Sequence, residues 1–96
     1  MGKNLSVSFK EKNDEEIDGD LLFTKKPLRV LFNLGRPASL EDIAKIQFGD
    51  SNKDLRYHIR VFQSLEEKGY VVREGKVYRI NPRVSSLLDR YFRNNQ

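Results

Sequence analysis

Residues 52–60 read NKDLRYHIR, a stretch that sets Lys53, Arg56, Tyr57, His58 and Arg60 around two aliphatic side chains. Such a set could be a solvated helix face, a catalytic or metal cluster built on His58, or a surface that contacts nucleic acid. Placed on a helix turning 100° per residue, the stretch and its continuation separate into two faces. The apolar one runs through Leu55, Ile59, Phe62 and Leu65, with His58 near it. The opposite one carries Lys53, Arg56, Arg60 and Ser64, flanked by Tyr57 and Gln63. Every charge on this outer face up to Arg60 is positive, and the first acids, Glu66 and Glu67, come only at the C-terminal end. A merely solvated face would mix Glu with Lys. Arginine can bond bidentately to a guanine edge, Tyr and Gln can reach bases or phosphates, and Lys53 near the helix start can meet a phosphate.

Catalytic and metal chemistries have less to stand on. His58 is read as a partly buried histidine with its hydrogen bonds satisfied. It is the only histidine, and cysteine is absent, so a zinc site would need carboxylates for its other ligands. A serine nucleophile would need the same histidine, and no G-x-S-x-G elbow is present. Asp14, Glu16, Asp18 and Gly19 approximate the opening of a calcium-binding EF-hand loop, but its twelfth position, where a bidentate acid is required, is Lys25. The chain is therefore read as non-enzymatic, with no catalytic residue, metal or cofactor expected.

A second basic set flanks a turn near the C-terminus. YVVREGKVYRI reads as strand, turn, strand, with Gly75 supplying the positive φ of a tight hairpin. Glu74 fits a primed two-residue turn poorly, which leaves the turn type open. Val71, Tyr78 and Ile80 are expected to face the core, while Arg73 and Lys76 lie at the tip, where charge can serve solubility alone or project toward a duplex.

The elements that must carry these residues follow from periodicity and punctuation. TKKPLRVLFNLGRP reads as a helix with Thr24 as candidate N-cap and Pro27 in its first turn; Leu28, Leu31, Phe32 and Leu34 recur at helical spacing, and Gly35 and Pro37 end it. SLEDIAKIQFG is a short second helix, with Ser39 and Asp42 in a capping-box arrangement, Leu40, Ile43, Ala44 and Phe48 as inward candidates, and Gly49 as its stop. The third helix is capped by Ser51 or Asn52 and ends at Gly69. NPRVSSLLDRYFRNN gives a strongly amphipathic last helix, with Asn81 as N-cap, Pro82 in first position, and Val84, Leu87, Leu88, Tyr91 and Phe92 on one face. At the other end, NLSVSFK alternates Leu5, Val7 and Phe9 as a half-buried strand would, and the polar run from Lys10 to Asp20 reads as a mobile linker.

The 96 residues suffice for one small domain. Residues 1–20 hold three lysines against six acids, a charge of −3, whereas the remainder holds 15 Lys and Arg against 8 Asp and Glu, or +7. A basic domain favours polyanionic partners, although many basic proteins have none. The lack of cysteine, of a signal-peptide apolar block and of any apolar run near 20 residues leads to the expectation of a soluble, cytoplasmic protein without membrane contact.

From TKKPLRVLFNLGRP to LEEKGYVVREGKVYRI, about residues 24 to 80, the chain resembles the winged helix-turn-helix family, especially small ArsR-like and MarR-like regulators of archaea, bacteria and their viruses. The most specific part is LEEKGYV running into REGKVYRI. The resemblance implies an α+β, mostly α fold: a three-helix core with a β-hairpin wing over residues 21–81, preceded by an N-terminal strand and acidic segment (1–20) and followed by an amphipathic helix (82–96). It also implies transcription regulation through double-stranded DNA, with the third helix in the major groove and the hairpin tip on flanking backbone or minor groove. Arg56, Tyr57 and Arg60 would then face bases, with Lys53, Gln63 and Ser64 beside them, and Arg73, Lys76 and Arg79 would serve the wing. The cysteines with which many ArsR-like proteins sense metals are absent, and no small-molecule effector is indicated. In such regulators a terminal helix often makes the dimer. Val84, Leu87, Leu88, Tyr91 and Phe92 are accordingly assigned to a homodimer interface, which would place two recognition helices about 34 Å apart on a pseudo-palindromic site. The same helix could instead cap its own core. The alternative function is a winged-helix protein-interaction module that binds no DNA.

Overall fold

The computed structural model describes residues 12–95 and is mostly helical, with one small antiparallel sheet. Its first element overturns an expectation. Within the run read as a mobile linker, Asp14–Asp20 forms helix α1. The Asn13 side chain accepts from the Glu16 backbone N–H and the Glu16 carboxylate accepts from the Asn13 N–H, each at 2.9 Å, a complete capping box. Asp14, Glu15 and Glu16 occupy the first turn, where negative charge suits the helix dipole. Ile17 and Leu21 are fully buried and tie this acidic helix to the core. The expected strand NLSVSFK lies outside the described residues.

Helix α2 (Lys25–Leu34) buries Pro27, Leu28 and Leu31. Thr24 stands at its N-cap without a side-chain capping bond, its hydroxyl buried and unpartnered. A two-residue strand, β1 (Ala38–Ser39), leads directly into α3 (Leu40–Phe48), where the Ser39 hydroxyl accepts from the Asp42 N–H at 3.1 Å. A cap of this kind contributes about 1 kcal/mol. Ile43 and Ala44 point inward as expected, Leu40 is half-buried, and Phe48 is exposed. Gly35 and Gly49 stop the two helices, both in the left-handed conformation.

Helix α4 (Leu55–Glu67) starts later than the sequence suggests, because residues 51–54 form a turn that ends with Asp54 in the left-handed region (φ +53°) at the N-cap. Its buried stripe is His58, Val61, Phe62 and Leu65. Relative to the expected stripe the helix is rotated by roughly 50°, which turns Ile59 outward to 42% exposure, leaves Leu55 half-buried and brings Val61 inside.

Strands β2 (Val71–Glu74) and β3 (Val77–Ile80) form the hairpin, with Val71 opposite Ile80 and Glu74 opposite Val77. The loop is therefore Gly75–Lys76. Gly75 has φ +63° while Lys76 does not have positive φ, the sign pattern of a type II′ turn, which requires glycine first and makes no demand on Glu74. β1 adds to the far edge of β3, giving the order β1-β3-β2.

A 3₁₀ turn (Pro82–Val84), whose Asn81 side chain accepts from the Arg83 N–H, leads into α5 (Ser85–Asn94). Of the two roles the sequence leaves open for this helix, its burial supports the capping one. Val84, Leu87, Leu88, Tyr91 and Phe92, assigned to a subunit interface, are buried in this chain's own core beside Leu28, Leu31 and Leu65. The helix caps the core, since burial of each large apolar side chain stabilises by about 1.5–3 kcal/mol and the fold uses all five.

Candidate nucleic-acid interface

Five exposed basic side chains lie on α4, the turn before it and the hairpin after it; others stand elsewhere on the surface, at Lys26, Arg36, Lys45, Lys68, Arg83, Arg90 and Arg93. Arg56, Tyr57, Arg60 and Gln63 are exposed on α4, Ser64 is half-buried, and Lys53 is exposed in the preceding turn. Arg73 and Lys76 are exposed at the hairpin tip. Among the described residues, Lys53, Arg56, Arg60, Arg73 and Lys76 form no ion pair, nor do Lys26, Lys45 and Arg83 elsewhere, whereas Lys12, Lys25, Arg79 and Arg93 each hold a carboxylate. Arg79, also expected to serve the wing, is half-buried and donates from Nε to Glu74 Oε2 at 2.9 Å, a contact that braces the hairpin.

His58 sets the start of α4. Fully buried, it lies with Nδ1 3.2 Å from the Asp54 carbonyl oxygen and Nε2 2.9 Å from Gln47 Oε1, so both ring nitrogens are engaged. One contact closes the first turn of α4 and the other reaches the end of α3. The rings of Phe48 and Tyr57 meet it edge-on, with centroids 5.5 and 5.3 Å away. The satisfied histidine expected from the sequence is thus a strut between the two helices. Its burial in the core separates it from the exposed arginines.

Tyr57 is less free than its neighbours. Its hydroxyl donates to the Phe23 carbonyl at 3.2 Å, docking the turn between α1 and α2 against the first turn of α4. This contact exposes what the sequence reading missed: Leu22 and Phe23, 69% and 78% exposed, stand beside α4. The signal was the run Leu21-Leu22-Phe23, of which only Leu21 is buried. Ile59, between the arginines and the core, is the other apolar residue that the expected helix rotation had hidden.

Asp18 and Asp20 of α1 are in the opposite situation. The Tyr91 hydroxyl donates to Asp18, and Lys25 Nζ lies 3.5 Å from the same carboxylate. Tyr91 chiefly, with Lys25, holds the Asp18 carboxyl below its ordinary range. Burial pushes Asp20 upward, but bonds from Lys12 and from the Tyr70 hydroxyl at 2.7 Å outweigh it, and its carboxyl also ends up lowered. Burial first, then these carboxylates, push the Tyr70 and Tyr91 phenols up.

Chemically, this arrangement offers guanidinium forks and ammonium groups to an anion. Among the described residues no group of three or more His, Asp or Glu side chains could hold a metal ion, and no helix is long and apolar enough to cross a membrane. No protein-family model, no curated protein and no solved structure matches this chain.

Proposed function

We propose that this chain is a winged helix-turn-helix protein that binds duplex DNA and regulates transcription, with α4 in the major groove and the hairpin tip on flanking backbone. The observation that carries the reading is that Lys53, Arg56, Arg60, Arg73 and Lys76, exposed and without an ion-pair partner among the described residues, fall on α4, its leading turn and the hairpin, although exposed cations without such a partner also stand elsewhere, as at Lys26, Lys45 and Arg83. The element order helix, strand, helix, helix, hairpin, with the short first strand on the hairpin's inner edge, supports the winged-helix assignment. On this reading Arg56 and Arg60 contact base edges, and Lys53, Arg73 and Lys76 contact phosphates. Because the apolar face of α5 is inside the core, the binding unit proposed is a single chain.

A titration with random-sequence duplex at low and moderate salt tests this. Binding that weakens steeply between about 50 and 200 mM salt is expected, since phosphate neutralisation releases counterions. A second reading, a protein-interaction module, is favoured by the exposed Leu22, Phe23 and Ile59 around α4. Absence of binding even at low salt would select it.

A further inference from the structure

The Leu22–Phe23 turn is the most exposed apolar feature among the described residues, and it is held in place by the Tyr57 hydroxyl bond to the Phe23 carbonyl. Leu22, Phe23, Lys25, Lys26 and Tyr57 line an open cleft of about 340 Å³. Two of these five side chains are aromatic, two are cationic and none is acidic. Lys25 also reaches Asp18 at 3.5 Å, while Lys26 is exposed and forms no ion pair among the described residues. An aromatic face beside ammonium groups suits the π-face of a base followed by its phosphate. It suits a hydrophobic protein segment less well, unless that segment also carries acids. Tyr57 belongs to the first turn of α4, next to Arg56, so a strand engaged there can continue onto the cleft.

Bases within an intact duplex are stacked on each other and cannot offer a face to Phe23. We infer that the cleft binds an unpaired nucleobase of a strand continuing from the duplex, so that the preferred ligand is a duplex bearing a single-stranded extension. This rests on the reading above, that α4 engages duplex DNA, and adds to it the class of DNA end or opening that is recognised.

Fluorescence anisotropy with the full chain distinguishes the two, using a blunt duplex and the same duplex with an oligothymidine extension. The extension is expected to tighten binding about tenfold, the scale of base–aromatic stacking. Phe23→Ala should abolish that gain while leaving blunt-duplex affinity within about twofold; Phe23 is 78% exposed, so the variant retains its core. Equal affinity for the two probes overturns this inference alone, and so does a gain that survives Phe23→Ala. Failure to bind either probe overturns the function proposed above and this inference with it. Self-association of the wild type that disappears in Phe23→Ala assigns the cleft to a second copy of the chain and also overturns it.

Discussion

The two aspartates that end α1, Asp18 and Asp20, and the five exposed cations of α4, its leading turn and the hairpin tip carry opposite charge and treat it in opposite ways. On α1, Asp18 and Asp20 are bound by Tyr91, Tyr70, Lys12 and Lys25, and the backbone carbonyl of Asp20 accepts from Lys68 at 3.0 Å. On α4 and the hairpin, Lys53, Arg56, Arg60, Arg73 and Lys76 are left to solvent with no carboxylate partner among the described residues. The segment that composition marks as the more disordered of the two is thus fastened through its charges. The well-formed helix holds its own in reserve. Partnered charge of the first kind contributes to the fold, and unpartnered charge of the second kind contributes little to it, so substitutions in the two regions should affect different measurements.

The largest effect should come from the core that both regions share. Leu88→Ala in α5 is expected to destabilise by about 2–5 kcal/mol, the cost of a buried leucine cavity, with a melting temperature that does not depend on protein concentration. A concentration-dependent melting temperature would return α5 to a subunit interface.

A smaller effect is expected where α1 is fastened. Tyr70→Phe removes the phenol that donates to Asp20 and should cost about 1.5–3 kcal/mol, the range for a hydrogen bond to a charged group, without altering DNA affinity. The same contacts set a pH dependence. Asp18 and Asp20 have folded-state values below their ordinary 3.8, so the unfolded chain binds their protons first as pH falls. Their contribution is complete above about 3.8 and is lost as pH drops through the folded values. Tyr70 and Tyr91 act at the other extreme: raised above 10.0, they contribute fully below it, and that contribution is lost as pH rises through their folded values. Acid titration of Asp18→Asn/Asp20→Asn by circular dichroism should show a shallower loss of stability below pH 4 than the wild type. An unchanged profile would mean that α1 is not held by these carboxylates.

How far the sequence discloses this division depends on the kind of signal each element leaves. α2 and α3 are legible because Gly35 and Gly49 punctuate clear helical periods, and the hairpin because Gly75 sits between two β-branched runs. α1 is hidden because only Ile17 is buried within its seven residues, too few apolar positions to create a period among the acids. β1 has two residues and no pattern of its own; it exists through its pairing with β3. The apolar face of α5 is plain in the sequence, but an amphipathic stripe does not say whether its own core or a partner covers it. The basic residues of the candidate site were identifiable, since charge predicts exposure well. The rotation of α4 was not, because it depends on packing His58 rather than Ile59 inward, with Gln47 and the Asp54 carbonyl meeting the ring. Nor was the exposure of Leu22 and Phe23, which follows from the turn that joins α1 to α2.

The contrast between fastened and reserved charge is tested most directly by Arg56→Ala/Arg60→Ala. Affinity for random duplex at low salt and thermal stability are measured on the same preparation. Affinity is expected to fall by at least about tenfold, with stability within about 0.5 kcal/mol of the wild type, as for exposed side chains that hold nothing in place. Undiminished affinity in the double variant would remove α4 from the interface and contradict the account.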